Sequence, residues 1–218
     1  MKSLKSVASV AIGCLLIGVS SMLACEIPID IHPTSCPNPI NVSSKGLVPA
    51  AILGTEKVSV SIIDINHPNG VQMVYPRYGV VPPEGTERIV VQAVKFAYKD
   101  VAEPYGAPVD CENEYSCTEN GPDGYMDLAL KFPTQGFYTG KAPNKVYHPG
   151  VADLLKGLAN GETRCLEING WTSTNSRRHN LDVVIVKGVK KAKRLSCHFK
   201  KGLKKAKRLS CHCEKGVR

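Results

Sequence analysis

Proline and glycine recur so often between residues 26 and 187 that the chain is cut into short apolar runs. Such punctuation leaves room for strands and tight turns, and almost none for long helices. Ile27–Asp30 with Ile31 alternates as a first strand, and PTSCPNP (33–39) is expected to be a loop, since prolines interrupt a paired strand. Ile40–Ser43 and Leu47–Leu53 flank a turn at Lys45-Gly46, and Val58–Ile65 alternates apolar residues with serines. His67–Gly85 is loop with at most one short strand, and Ile89–Tyr98 is a strong continuous one. Tyr125–Phe132, Thr163–Ile168 and Leu181–Val186 follow, with a turn expected at Asn169-Gly170. Val151–Ala159, after Pro149 and before Asn160-Gly161, is the single helix candidate. The pattern predicts a mainly β protein, an antiparallel β-sandwich with one short helix, over residues 25–187.

The ends of the chain differ from its middle. Lys2 and Lys5, an apolar run over Val7–Val19, and small residues to Ala24 have the order of a secretory signal peptide, 1–24. Its apolar core is shorter than the roughly 20 residues that span a bilayer. Met22-Leu23-Ala24-Cys25 also resembles a lipobox, which makes Cys25 a lipidation candidate beside ordinary cleavage after Ala24. The expected location is therefore secreted, cell-surface or periplasmic.

Lys187–Lys200 (KGVKKAKRLSCHFK) and Lys201–Glu214 (KGLKKAKRLSCHCE) form a tandem repeat, and Lys215 starts a third copy. Residues 187–218 carry 13 Lys/Arg against one acid, so the net charge of +9 belongs to this tail and the remainder is not basic. As a helix, the 188–218 tail places Val189, Ala192, Phe199, Leu203, Ala206 and Cys213 on one side. It would then lie on an anionic membrane or a polyanion, without specific nucleic-acid recognition. The plainer reading is a solvated extension. Cys197-His198 and Cys211-His212-Cys213 fall short of zinc-ligand spacing.

An exported chain meets an oxidising compartment, so its cysteines are expected in disulfides. Cys111 and Cys117, six apart in a polar segment, would close a small loop and leave Cys36 for Cys165, although the four allow three pairings.

The segment NGPDGYMDLAL (120–130) has the ending of a calcium loop, where hard oxygen ligands alternate around a glycine. Its earlier positions fit poorly, because Gly121 stands where a ligand is needed. If Ala102–Thr118 is looped out as an insertion, Asp100 at the end of a strand returns beside Asn120. The candidate metal set is then Asp100, Asn120, Asp123 and Asp127, with Glu119 in reserve, for Ca2+. The alternative is that Pro122-Asp123-Gly124 is only a turn.

IDIHPTSCPNPINVSSKGLVPAAILGT (29–55) resembles the opening of a family of uncharacterised exported prokaryotic domains, whose members read near IDIKPGSxPNxINxxSKGxxPVAILGT. The likeness continues at Lys99-Asp100-Val101, at Asp123-Gly124-Tyr125-Met126-Asp127-Leu128, and at Asp182–Val186. His32 and Thr34 depart from the pattern, as do the insertion and the tail. The resemblance implies an exported β-rich module of surface proteins and carries no activity with it.

Catalytic motifs are absent from the sequence: there is no Gly-x-Ser-x-Gly elbow, His-Glu-x-x-His helix or glycine-rich phosphate loop. His32 near Cys36 hints at a thiol nucleophile, but an exported cysteine among prolines is expected in a disulfide. His148 and His179 read as lone loop histidines, and Trp171, Tyr138 and Tyr147 as packing residues or a sugar-stacking face. The expectation is a noncatalytic module for surface association or ligand binding. A secreted hydrolase without a local motif, and a domain that merely presents its tail, are the alternatives.

Overall fold

The computed structural model describes residues 26–190 except 83, 85 and 86. The signal segment, Cys25 and the tail beyond Lys190 lie outside the described residues. Two sheets face each other. One holds β1 (Ile29–Ile31), β3 (Leu47–Ile52), β7 (Leu128–Pro133) and β6 (Lys95–Tyr98), in that order. The other holds β2 (Asn38–Asn41), β11 (Arg177–Lys187), β10 (Thr163–Trp171), β4 (Gln72–Tyr75) and β5 (Ile89–Gln92). All pairings are antiparallel except β2 with β11. The core between the sheets takes alternate residues of both: Ile29, Ile31, Ala50, Ile52, Leu128, Leu130 and Phe132 meet Ile40, Met73, Val91, Leu166, Ile168, Val184 and Val186. The mainly β sandwich expected from the sequence is the fold observed.

Several elements differ from expectation. Ile89–Tyr98 is not one strand. It leaves the second sheet after Gln92, where Ala93 N–H still donates to Val71 O (2.9 Å), and enters the first at Val94, whose N–H donates to Lys131 O (2.8 Å). Pro39 lies within a strand, β2, which is tolerated because β2 is an edge and pairs only with β11. Val58–Ile65 is no strand. Val60 and Ile63, three apart, are buried, and a 3-10 turn over Val60–Ile62 turns both inward.

Asn169-Gly170 does not turn. Both are ladder residues of β10, and the reversal comes later, where Thr172 N–H donates to Ser176 O (2.9 Å) and Asn175 is left-handed (φ 62°). The helix α1 is a single turn, Val151–Leu154, with Val151 and Leu154 buried. A hairpin of β8 (Phe137–Thr139) and β9 (Val146–His148) forms a third, two-stranded sheet. Beyond β11 the chain stays attached: Val189 N–H donates to Asn160 Oδ1 (2.7 Å), and Asn160 Nδ2 donates to Val189 O (3.2 Å).

Candidate functional site

Asp100 follows β6 and Asp127 precedes β7, so the antiparallel pairing of these strands brings the two ends of the 101–126 excursion together. Lys99 N–H donates to Asp127 O (3.0 Å) at that junction. The Asp100 carboxylate accepts the backbone N–H groups of Asp123 (3.1 Å) and Gly124 (2.8 Å). Asp123 Oδ1 accepts Tyr125 N–H (3.0 Å), and Gly124 turns the chain at φ 97°. Asp127 is wholly buried; its Oδ1 accepts Gly54 N–H (2.8 Å) and its Oδ2 accepts those of Val101 (2.7 Å) and Ala102 (3.3 Å). Gly54 comes this close because it lacks a Cβ, which would strike the Met126 carbonyl.

Of the four residues expected to hold calcium, Asp100, Asp123 and Asp127 therefore meet at one junction, and Asp100 returns to the turn as the insertion requires. Asn120 faces elsewhere, its Nδ2 donating to Glu103 Oε2 (2.8 Å). Among the described residues, no three His, Cys, Asp or Glu side chains gather with metal-ligand spacing. The carboxylates are engaged as acceptors for main-chain donors, and three such bonds leave Asp127 little capacity for a cation.

All four cysteines among the described residues are in disulfides, but the pairing differs from the expected one. Cys36 joins Cys117 and Cys111 joins Cys165. The 102–118 insertion is thus not closed on itself. It is bolted to the β1–β2 connection and to β10. The turn between Cys111 and Cys117 is closed by hydrogen bonds instead: Asn113 N–H donates to Asp110 O (3.0 Å), Ser116 N–H to Asn113 O (3.1 Å) and Asp110 N–H to Ser116 Oγ (3.0 Å). Two disulfides belong to an oxidising compartment. No helix among the described residues is long and apolar enough to cross a membrane.

Two functional candidates escaped the sequence reading. Ile29, Ile52 and Leu128 stand opposite one another and face the core, so Asp30, Ala51 and Ala129, one register step away, face the other side of the sheet with Leu53 and Asp127. That outer side is covered: Val101 and Ala102 pack on Ala51 and Leu53. Asp30 is only 4% exposed, and neither of its carboxylate oxygens has a hydrogen-bond partner. Burial, and next the charge of Asp127, pushes its pKa up to about 7.

Asp182, also buried, accepts Ile31 N–H, Val183 N–H (2.7 Å) and Asn38 Nδ2 (3.0 Å to Oδ2). Burial raises its pKa well above the ordinary value, Asp30 adds to the rise, and the donors oppose it. Asp127 is raised by burial and by Asp100, against its three N–H donors. The signal in the sequence was an acid inside an apolar run (Ile-Asp-Ile and Leu-Asp-Val-Val), which period-two alternation assigns to a wet face.

A raised carboxyl pKa means that the folded protein keeps a proton the unfolded chain has already lost. The Asp30 contribution is complete below the ordinary value of 3.8 and is lost as pH climbs to about 7. In EDTA-containing buffer, the Tm of Asp30→Asn relative to the wild type is expected to rise between those limits and level off above them. A constant difference across that range would contradict the assignment.

Elsewhere, Glu167 is buried beneath a cleft of about 320 Å³ lined by Glu26, Arg77, Tyr78, His179 and Asn180. It accepts Tyr78 N–H (2.7 Å) and Arg177 Nη1 (3.1 Å), with His179 Nδ1 at 3.7 Å. Tyr78 lies between the guanidinium groups of Arg88 and Arg177, each 4.7 Å from its ring centre. His179 is therefore neither on a loop nor alone. His148 is in β9, within hydrogen-bond distance of Thr139 Oγ1 (2.7 Å) and stacked on Phe137. Trp171 is buried and stacks on His67, apart from Tyr138 and Tyr147, which face each other across the hairpin with ring centres 5.0 Å apart. No family model, curated protein or solved structure matches the chain.

Proposed function

We propose that the chain is a noncatalytic exported β-sandwich module for surface association or ligand binding, stabilised by calcium at its carboxylate junction. The observation behind the binding role is the β8–β9 hairpin, which exposes Tyr138 and Tyr147 side by side on one face and Phe137 and Val146 on the other. Both faces of the hairpin thus carry exposed apolar side chains, a feature of interaction sites. Tyr147 donates its hydroxyl to Asp153 (2.7 Å), and Asp153 accepts Gly150 N–H (2.8 Å), so the hairpin is held against the start of α1. Aromatic faces fixed in this way suit the apolar face of a sugar ring or an extended peptide. The family resemblance of residues 29–55 supports the exported, surface-borne setting.

The test is co-sedimentation with insoluble polysaccharides (peptidoglycan, chitin and cellulose), comparing the wild type with Tyr138→Ala. Tyr138 is 66% exposed, so the change leaves the fold intact. Retention on at least one polymer, falling about tenfold in Tyr138→Ala, is expected from loss of one stacking partner and its apolar area. Equal retention of both proteins, or none of either, would remove the hairpin from the reading.

For the metal, millimolar calcium is expected to raise the Tm of EDTA-treated protein, and the absence of any shift would remove calcium. Activity on glycoside, ester or peptide substrates would overturn the noncatalytic reading.

A further inference from the structure

The two main sheets end in β1, β6, β2 and β5, and of these β6 is open along its whole length. β1, β2 and β5 each keep buried residues, whereas every residue of β6 is exposed. Lys99 N–H donates to Asp127 O at the end of the β6–β7 register, so Lys95, Ala97 and Lys99 are the residues whose main chain bonds to β7. The N–H and C=O groups of Phe96 and Tyr98 point the other way, where no strand follows. Val94 N–H is taken by Lys131 O, so the free edge begins at Phe96. Such an edge is a template for a further strand.

The side chains of β6 select what that strand can carry. Phe96 and Tyr98, opposite Leu130 and Leu128, stand on the core side of the sheet at its rim, 52% and 46% exposed. On the outer side, Lys95 lies directly opposite Lys131, a like-charge pair that works against the ladder. Among the described residues, no carboxylate lies within 4.0 Å of Lys95, Lys99 or Lys131. These charges also disfavour a second copy of the chain. Antiparallel self-pairing that engages all the free groups sets Phe96 against Tyr98, and so places Lys95 of one copy opposite Lys99 of the other at both ends.

We propose that β6 is the acceptor edge for an extended acidic peptide of another protein, which adds as a fifth strand of the first sheet. The peptide sets apolar residues beside Phe96 and Tyr98 and a carboxylate opposite Lys95, where it answers the Lys95–Lys131 pair. Main-chain hydrogen bonds to Phe96 and Tyr98 hold it, and the alternating side chains give selectivity. β6 belongs to a different sheet from the β8–β9 hairpin and binds independently of it.

The full chain is titrated against two fluorescent, end-capped peptides, Thr-Glu-Val-Thr-Val-Glu-Thr and Thr-Lys-Val-Thr-Val-Lys-Thr, with anisotropy as the readout. Lys95→Glu reverses a charge on an exposed residue, and Tyr98→Pro deletes a donor that the ladder with β7 does not use. The wild type is expected to bind the acidic peptide roughly tenfold more tightly than the basic one, as attraction across the strands replaces repulsion. Lys95→Glu should lose that preference, and Tyr98→Pro should lose binding while its far-UV circular dichroism and melting match the wild type. Both losses together support the edge, as does the first alone if Tyr98→Pro does not fold. Acidic-peptide binding that is unchanged in Lys95→Glu belongs to the basic 188–218 tail and overturns the edge. Binding retained by folded Tyr98→Pro, or no binding by the wild type, overturns it too. A wild-type dimer in light scattering that Tyr98→Pro dissociates gives the edge to a second copy and overturns the peptide.

Discussion

Removing either disulfide by paired Cys→Ser substitution is expected to destabilise the protein more than any single side-chain change on its surface. Cys36–Cys117 spans 81 residues and Cys111–Cys165 spans 54. Loops of that size give about 4 kcal/mol each from restricted unfolded-state entropy, within a usual range of about 2–5. The loops overlap, so the double removal should cost less than the sum of the two. The expected loss is local first. Without Cys36–Cys117 the insertion remains tied to β10 alone, and Ala51, Leu53 and Asp30 become accessible. Urea melts of the two paired variants, with amide exchange of Ile31 and Ala102, check this. Exchange at those amides unchanged from the wild type would show that the insertion holds to the sheet without the bond.

The second large effect belongs to Asp127. Asp127→Ala strands the N–H groups of Gly54, Val101 and Ala102, which lie in or beside the buried layer under the insertion. Each unsatisfied donor costs about 1–3 kcal/mol, so the total is on the order of 3–5 kcal/mol after partial access of water. Opposing this, the substitution removes a buried charge whose pKa burial already raises. Three lost charge-assisted bonds outweigh that relief. Asp127→Asn makes the sharper comparison. It keeps one acceptor but turns an amide donor toward N–H groups, so it should fall on the destabilised side as well. Denaturant unfolding in EDTA separates this loss from any loss of metal. Wild-type stability in both variants would mean that water satisfies these donors.

How much of this was legible depended on whether local patterning or long-range pairing decided an element. Leu47–Ile52 and Leu181–Val186 read correctly as strands because their apolar residues fill the core. The return of Asp100 to the 120–124 turn was legible too, since a strand-end acid and a truncated Asp-Gly loop implied an insertion between them. The task of that carboxylate was not legible, because a sequence does not show which backbone donors lack partners. The break of Ile89–Tyr98 was hidden for a related reason. A strand crossing between sheets keeps the same residue types on both sides of the crossing.

Val58–Ile65 misled because its alternating serines imitate period two, while Val60 and Ile63 set the true spacing of three. The β8–β9 hairpin was missed because its strands are three residues each and largely exposed, so burial leaves no pattern there. The cysteine pairing depended on where the insertion lies over the sheets. That position goes with the packing of Val101 and Ala102 on Ala51 and Leu53, which are distant from them in sequence.

The crossing at Ala93-Val94 has a mechanical consequence. A single unbroken stretch of backbone is stitched into both layers, with its amides registered against β4 on one side and β7 on the other. The two layers then cannot slide or peel apart as separate plates without tearing hydrogen bonds from that shared stretch. Force applied to one layer is carried directly to its opposite. Tension on the domain would therefore pass through its body as one piece.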